Sequence, residues 1–269
     1  MPHGQSATAL GHVDPLHSDM IHQACDTGRL DRGGRPGAAA GRNAFLPATG
    51  PALASLRMLS FDRLIAEAQA APFSGWDFSW LDARSRAEEP PWRYTAEVTA
   101  RAGAATAMLD MGTGGGEVLA GIEPRPARTV ATEAWPPNVP VAARRLRPLG
   151  IPVVQCGGAP DNMSEEGVRA DPGRAGRLPF ADGAFGLVIN RHESFRGDEV
   201  CRVLAPGGAF ITQQVDDHNS DDLYRLLGLA PPPEPETWLP LAVDQLTAAG
   251  LSIAGTAAGQ AIRYFAASR

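Results

Sequence analysis

The strongest indication of the fold of this chain is the segment Leu109-Asp-Met-Gly-Thr-Gly-Gly-Gly-Glu117. It overlaps a short apolar run, Ala107-Met-Leu-Asp110, which is typical of a buried strand. Glycines at positions 112, 114 and 116 allow the backbone to turn tightly after that strand and to approach a ligand closely. The pattern predicts a strand, a ligand-binding turn and the start of a helix. A similar loop occurs in dinucleotide-binding enzymes, so the loop alone does not identify the ligand.

The same alternation of strand, loop and helix continues beyond this stretch. Further strands are predicted at 130–135, 151–156, 185–190, 209–215 and 251–258, and helices at 139–149 and up to residue 203. Apolar strands that alternate with helices indicate an α/β fold with a doubly wound, mostly parallel sheet. We assign this domain to residues 105–269, with a surface insertion at 157–177 and a shortened final strand at 261–265.

Residues 1–57 have a different composition from the rest of the chain. They contain eight Gly, five Pro and a single aromatic residue, Phe45. Such a segment buries too little apolar surface to offset the entropy of ordering it, which predicts a disordered tail that can be deleted without loss of stability. His17, His22 and Cys25 within it could be imagined as metal ligands, but a tail offers no scaffold to hold them, and no metal site is predicted.

Residues 58–104 form a helical and aromatic lead-in to the α/β domain. Apolar residues from Phe61 to Ala68 recur at helical spacing, and a second helix is expected to stop at Gly103. The segment is rich in aromatic side chains, which include Trp76, Trp80, Trp92 and Tyr94. Aromatic residues at this density either pack in the core or form a lid over a flat or apolar substrate.

Composition and charge exclude several classes of function. All 24 basic residues are Arg, and the absence of Lys removes P-loop and Schiff-base lysine chemistry. The net charge of −6 argues against a wide nucleic-acid interface. Three isolated cysteines support neither a zinc knuckle nor a disulfide framework. No apolar run suits a membrane span and no secretory signal is visible, so a cytoplasmic protein is expected.

Two carboxylates stand at strand ends where they can meet a ligand. Asp110 lies just before the glycine loop, where it can face an ammonium group. Glu133 lies in the second strand, where its two oxygens can accept hydrogen bonds from both hydroxyls of a ribose.

Two further sequence blocks follow in order. They are Leu178-Pro-Phe-Ala-Asp-Gly-Ala-Phe-Gly-Leu-Val-Ile-Asn190 and Arg202-Val-Leu-Ala-Pro-Gly-Gly-Ala-Phe210. With the glycine loop and Glu133, they resemble the class I (Rossmann-like) S-adenosylmethionine (SAM)-dependent methyltransferases over roughly residues 105–260.

The resemblance implies SAM as the cofactor and assigns residues to it. The implied cofactor-binding set is Asp110, Gly112, Thr113, Gly114, Gly116, Glu133 and Asn190, with Glu133 on the ribose. Asp161 or Asp171 would lie near the adenine. Gly186 departs from the acidic residue that the family usually has before Leu-Val.

Candidate catalytic residues follow the fourth strand of the domain, in Asn190-Arg-His-Glu-Ser194. Ligands of open parallel sheets bind at the carboxyl ends of the strands. His192 and Glu193 are therefore candidates for a general base, which is needed only if the acceptor must lose a proton. A structural role for each is an open alternative. Either Gln213 or Gln214, on opposite faces of the fifth strand, could line the pocket.

The sequence favours methyl transfer to a small, planar or apolar molecule. The first alternative is an RNA-base methyltransferase, because the Leu-Pro-Phe block is similar to that of the ribosomal-RNA guanine methyltransferases. Those enzymes carry an N-terminal zinc module that is not seen here, and the acidic charge also counts against RNA. The second alternative is a SAM-binding protein without transferase activity.

Overall fold

The structure is a computed structural model that describes residues 16–24, 61–72, 79–82, 84–156, 177–215, 221–226, 228–230, 238–261 and 263–265, with the backbone alone described for 16–24. The strands are β1 (Leu16–Ala24), β2 (Ser85–Ala87), β3 (Ala107–Met111), β4 (Arg128–Glu133), β5 (Val153–Gln155), β6 (Phe185–Arg191), β7 (Leu204–Val215), β8 (Ser252–Ala261) and β9 (Arg263–Phe265). The helices are α1 (Phe61–Ala70), α2 (Tyr94–Ala102), α3 (Glu117–Ala120), α4 (Val139–Leu146), α5 (Gly197–Val203), α6 (Asp221–Leu226) and α7 (Trp238–Ala248).

Seven strands form one sheet in the order β5-β4-β3-β6-β7-β1-β8. The five strands from β5 to β7 are parallel, and the order reverses on either side of β3, which starts the domain. This is the doubly wound, mostly parallel sheet that the sequence predicts. The carboxyl ends of β3, β4 and β6 meet at one edge, which places the glycine loop, Glu133 and Asn190 together.

Helices cover both faces of this sheet. On one face the apolar side chains of β3 and β6 pack against Val98 of α2, Leu119 of α3 and Leu146 of α4. On the other face they pack against Val200 of α5 and Leu246 of α7. All five of these side chains are fully buried. Removing two such layers of apolar surface from water drives the assembly of the domain.

The N-terminal segment departs from the prediction of a disordered tail over residues 1–57. Its residues 16–24 form β1, which pairs antiparallel with β7 on one side and with β8 on the other. Local composition does not reveal this strand, because its backbone hydrogen bonds go to partners about 190 and 240 residues further along the chain. Cys25 and the remaining residues of this segment up to 57 lie outside the described residues.

The end of the chain also differs from expectation. Residue 261 ends β8, and β9 leaves the main sheet to pair with β2 of the lead-in. The family to which the sequence is similar ends in an antiparallel strand beside the sixth strand, and here β1 takes that place between β7 and β8. Residues 16–24 therefore supply the strand that joins β7 to β8 in the sheet.

The lead-in adopts the two predicted helices. The first covers Phe61–Ala70, and the second, Tyr94–Ala102, stops before Gly103 as expected. Trp76 lies outside the described residues, while Trp80 packs beneath Arg84 with the guanidinium carbon 4.2 Å from the ring centroid. Among the helices that the structure describes, none has both the length and the apolar character to cross a membrane.

Candidate functional site

The glycine loop turns sharply between β3 and α3 and is pinned to β4. Gly112, Gly114 and Gly116 have φ angles of 68°, 61° and 81°, in the left-handed region that favours glycine. The backbone N–H of Gly112 donates to the Thr132 hydroxyl at 3.3 Å, and that of Thr113 donates to the Thr132 carbonyl at 2.8 Å. These two hydrogen bonds to β4 fix the position of the loop at the carboxyl ends of the strands.

Asp110 and Glu133 lie at adjacent strand ends and are both buried. Burial raises the pKa of Asp110 to about 7, and the nearby charge of Glu133 adds to this rise. The Thr113 hydroxyl lies close enough to lower the pKa in part, although no hydrogen bond of good geometry joins the two groups. One Glu133 oxygen accepts the N–H of Trp135 at 2.8 Å. No described cation pairs with either carboxylate.

Trp135 is a site residue that the sequence argument did not single out. Its backbone holds the Glu133 carboxylate, yet 51% of the residue is exposed beside the buried strand end. An exposed indole at this position offers a flat apolar face next to a hydrogen-bonding carboxylate. The signal was available in the sequence, because Trp135 follows the predicted ribose ligand by two residues.

Asn190 lies at the centre of a buried polar network at the end of β6. Its Oδ1 accepts hydrogen bonds from the Thr212 hydroxyl at 3.0 Å and from Gln214 Nε2 at 2.7 Å. Gln214 Nε2 also donates to the Glu193 carbonyl at 3.1 Å. The Nδ2 group of Asn190 is fully buried and has no partner among the described residues. A buried donor without a partner costs free energy, so it points to an acceptor that a ligand supplies.

The two glutamines at the end of β7 point to opposite faces of the sheet and have different partners. Gln214 faces Asn190, whereas Gln213 accepts a hydrogen bond from the Trp92 indole at 3.2 Å on the opposite face. Tyr94 reaches the same edge and donates to the Asn190 carbonyl at 3.1 Å. Both aromatic side chains are buried, so the lead-in packs directly over the carboxyl ends of β6 and β7.

His192 occupies an unusual backbone position directly after β6. Its φ of 63° is the only positive value at a non-glycine residue in the described part of the chain, and its N–H donates to the Gln213 carbonyl at 2.9 Å. Such strain concentrates at functional sites. Desolvation, and secondly the Arg191 charge, lower the pKa of His192 to about 4, even though the residue is exposed. With this pKa the imidazole is neutral at pH 7.

Glu193 lies across the glycine loop. A Cβ atom built on Gly112 would be 2.5 Å from Glu193 Cγ and 2.8 Å from Glu193 Oε2, so only glycine at position 112 leaves room for this side chain. Burial, and secondly the charge of Glu133, raise the pKa of Glu193 to about 7.

The Leu-Pro-Phe block and the Arg202 block are joined to each other by hydrogen bonds and ion pairs. Arg202 donates to the carbonyls of Leu178 and Phe180 at 2.9 and 2.7 Å, and pairs with the carboxylates of Glu199 and Asp182. Glu199 in turn accepts the N–H of Leu178 at 2.8 Å. These hydrogen bonds and ion pairs centred on Arg202 therefore fix the segment that leads into β6. They explain why the two blocks occur together in the sequence.

Several features predicted from the sequence are not part of the site at the carboxyl ends of β3, β4 and β6. Asp161 and Asp171, suggested for adenine, lie outside the described residues. Gly186 lies in β6, where an added Cβ would meet its nearest neighbour at 3.7 Å, so the position has room for a Cβ atom. In the part of the chain that the structure describes, no three His, Cys, Asp or Glu side chains are grouped so as to bind a metal ion.

The described residues fit the cofactor that the sequence resemblance implies. Buried carboxylates without a cationic partner suit a ligand with an ammonium group and hydroxyls. The unpaired buried Asn190 Nδ2 and Thr113 Oγ1 are matched to further polar atoms of such a ligand. The left-handed glycines keep the loop free of side chains that would block it.

Comparison with known proteins agrees with the geometry. The family model described as a methyltransferase domain matches residues 109–212, which contain every residue predicted to bind the cofactor or to catalyse. No curated protein sequence matches the chain.

Solved structures with a similar fold include the YcgJ protein of Bacillus subtilis (22% identity, 44% of this chain and 49% of that chain, TM-score 0.34). A SAM-dependent methyltransferase of Aquifex aeolicus matches at 16% identity over 59% of this chain and 82% of that chain, with a TM-score of 0.38. Geranyl diphosphate C-methyltransferase of Streptomyces coelicolor matches at 18% identity over 44% of this chain and 43% of that chain, with a TM-score of 0.32.

The chain spans about half the length of the YcgJ structure. The matched segment, with its glycine loop, its acidic strand ends and its parallel sheet, makes SAM the cofactor of this domain. Residues 109–212 of this chain therefore match the methyltransferase-domain family, in the part that carries the glycine loop, Glu133 and Asn190.

Proposed function

We propose that this protein transfers the methyl group of SAM to a small-molecule acceptor that binds beneath the aromatic lead-in. The observation that carries the proposal is the pair of hydrogen bonds from Trp92 to Gln213 and from Tyr94 to Asn190. These bonds bring two large aromatic side chains over the strand ends where the methyl group would be presented. An edge covered in this way favours a small planar or apolar molecule over an extended polymer.

In methyl transfer from SAM, the main task of the protein is to align the acceptor with the methyl group. When bound, SAM supplies an activated methyl group on a sulfonium. Asp110 and Glu133 would hold the amino and ribose ends of the cofactor, and the glycine loop would let its backbone approach the methionine part. The lead-in, held by Gln213 and Asn190, would then help to orient the acceptor for in-line attack on the methyl group.

A proton must be removed only for some acceptors. His192 is neutral at pH 7 and stands at the end of β6, so its ring can accept a proton from an oxygen or nitrogen nucleophile. Its lowered pKa makes it a weaker base than an ordinary histidine. Glu193, with a pKa of about 7, is the second candidate from the sequence.

A transfer assay with two acceptor panels tests this proposal. The full chain is incubated with methyl-labelled SAM and either a set of planar small molecules, such as phenols, indoles and quinolines, or unmodified ribosomal RNA. Label in a small molecule is the expected result. Label confined to RNA would contradict the proposed acceptor class, and SAM binding without transfer to either panel would favour a binding protein that does not catalyse.

A further inference from the structure

The side chain of Glu193 lies inside the cofactor cleft. It rests on Gly112, at the point where the glycine loop leaves β3, and its Oε2 would come within 2.8 Å of a Cβ there. Its own carbonyl is fixed by Gln214 from β7. Backbone contacts on one side and the loop on the other therefore direct this carboxylate toward the part of the cleft that receives the methionine end of the cofactor.

Two further carboxylates stand on the edge of the sheet that Glu193 faces. Glu133 at the end of β4 and Asp110 at the end of β3 stand on the same edge, and the Cys156 thiol after β5 lies within the field of Glu193. The neighbours on its own segment are His192, which is neutral at pH 7, and Arg191, whose charge acts on His192 and Tyr94. No described cation pairs with the Glu193 carboxylate.

We propose that Glu193 is a specificity-determining residue that selects the positively charged methyl donor over the uncharged thioether left after transfer. The inference rests on the proposed function, because it takes the cleft to be the SAM site. SAM and S-adenosylhomocysteine share the amino acid, ribose and adenine groups and differ by one methyl group and one positive charge. A carboxylate beside the sulfur position interacts with that difference alone.

Selection of this kind has a consequence for turnover. Transfer of the methyl group removes the positive charge from sulfur, so the attraction to Glu193 ends at the moment the product forms. The neighbouring carboxylates then repel Glu193 without compensation, and proton uptake by Glu193 relieves this repulsion. The arrangement favours release of the spent cofactor and its replacement by fresh SAM.

The dependence on pH follows from the same geometry. Below pH 7 Glu193 is largely protonated in the free protein, and SAM loses its advantage over S-adenosylhomocysteine. Above pH 7 the carboxylate is charged and the ratio of the two affinities rises. Asp110 also titrates near pH 7, but it is placed to meet the amino group that both molecules carry, so its contribution cancels in the ratio.

Calorimetric titration of the full chain with SAM and with S-adenosylhomocysteine at pH 6 and pH 8 tests the inference. In the wild type at pH 8 we expect SAM to bind more tightly by on the order of tenfold, as for one charge pair in a partly buried site, with a smaller ratio at pH 6. Glu193→Gln should bring the ratio at pH 8 close to one, and Glu193→Asp should restore part of it. Asp198→Asn removes a carboxylate from the same segment, but one that is exposed and paired with Arg196, and it should leave the ratio unchanged.

The possible results distinguish a failure of the Glu193 role from a failure of the SAM site. If both compounds bind the wild type and Glu193→Gln keeps the same ratio, the role of Glu193 is overturned while the cofactor site stands. An equal effect of Asp198→Asn would also overturn it, because the effect would then reflect net charge alone. If neither compound binds the wild type, the proposed function and this inference both fail.

Discussion

Replacing Asp110 by Asn should make the free protein more stable at alkaline pH. The carboxyl is buried, and its pKa is about 7 in the folded state against an ordinary value of 3.8. Because the folded pKa is the higher one, the folded state binds more protons than the unfolded state between these values. The stability that this proton contributes is fully present below pH 4 and is lost as the pH rises to about 7.

The size of this loss follows from the two pKa values. At about 1.4 kcal/mol for each pH unit, the interval corresponds to roughly 4 kcal/mol, and relaxation of the site with entry of water reduces it to about 2–4 kcal/mol. Asparagine has no charge to desolvate, so Asp110→Asn should exceed the wild type by that amount at pH 8 and should equal or fall below it at pH 4. Binding of SAM should weaken in the same variant, since the amino group loses its counterion.

Urea unfolding of both proteins without ligand at pH 4, 6 and 8 measures this difference. Asp198→Asn is the matched control with the opposite sign, because a hydrogen bond from Arg196 lowers the pKa of Asp198, so its loss should destabilise the protein at pH 8. The reasoning is refuted if Asp110→Asn gains no stability over the wild type on going from pH 4 to pH 8.

Three further predictions concern His192 as a candidate general base, the lead-in and the N-terminal strand. His192→Ala should lower turnover by ~10²–10⁴-fold with SAM affinity nearly unchanged if the ring is a general base, and full activity in a stable variant would rule that role out. Trp92→Phe removes the indole donor and leaves Gln213 without its partner, which should lower the free energy of unfolding in urea by about 1–3 kcal/mol. An unchanged midpoint would contradict a buried hydrogen bond between these residues. Deleting residues 1–24 exposes the edges of β7 and β8, so the melting temperature should fall by many degrees, and an unchanged value would instead support the disordered tail that composition predicts.

The sequence allowed the centre of the domain to be predicted because the relevant signals are local. The glycine loop and the apolar strands on either side of it occupy consecutive positions, and β3, β4 and β6 occur where their patterns indicate. The predicted boundaries of the strands were less accurate. The structure starts β7 at Leu204 because pairing with Phe185 extends the strand backward through the Pro-Gly-Gly turn.

The features that escaped prediction depend on partners far away in the chain. Trp92 and Gln213 are 121 residues apart, and no local sequence pattern near either residue predicts their hydrogen bond. The place of β1 between β7 and β8 is set by two long-range pairings. The position of Glu193 over Gly112 follows from the strained backbone at His192, which no sequence pattern specifies.

We propose that the edge formed by β3, β4 and β6 binds SAM through Glu133. Calorimetric titration of S-adenosylhomocysteine into the wild type and into Glu133→Ala tests it most directly. We predict one site per chain in the wild type and a loss of roughly ten- to a hundredfold in affinity in the variant, because two ribose hydroxyls lose their acceptor. Absence of binding to the folded wild type, or equal affinity in a stable Glu133→Ala variant, would contradict the account.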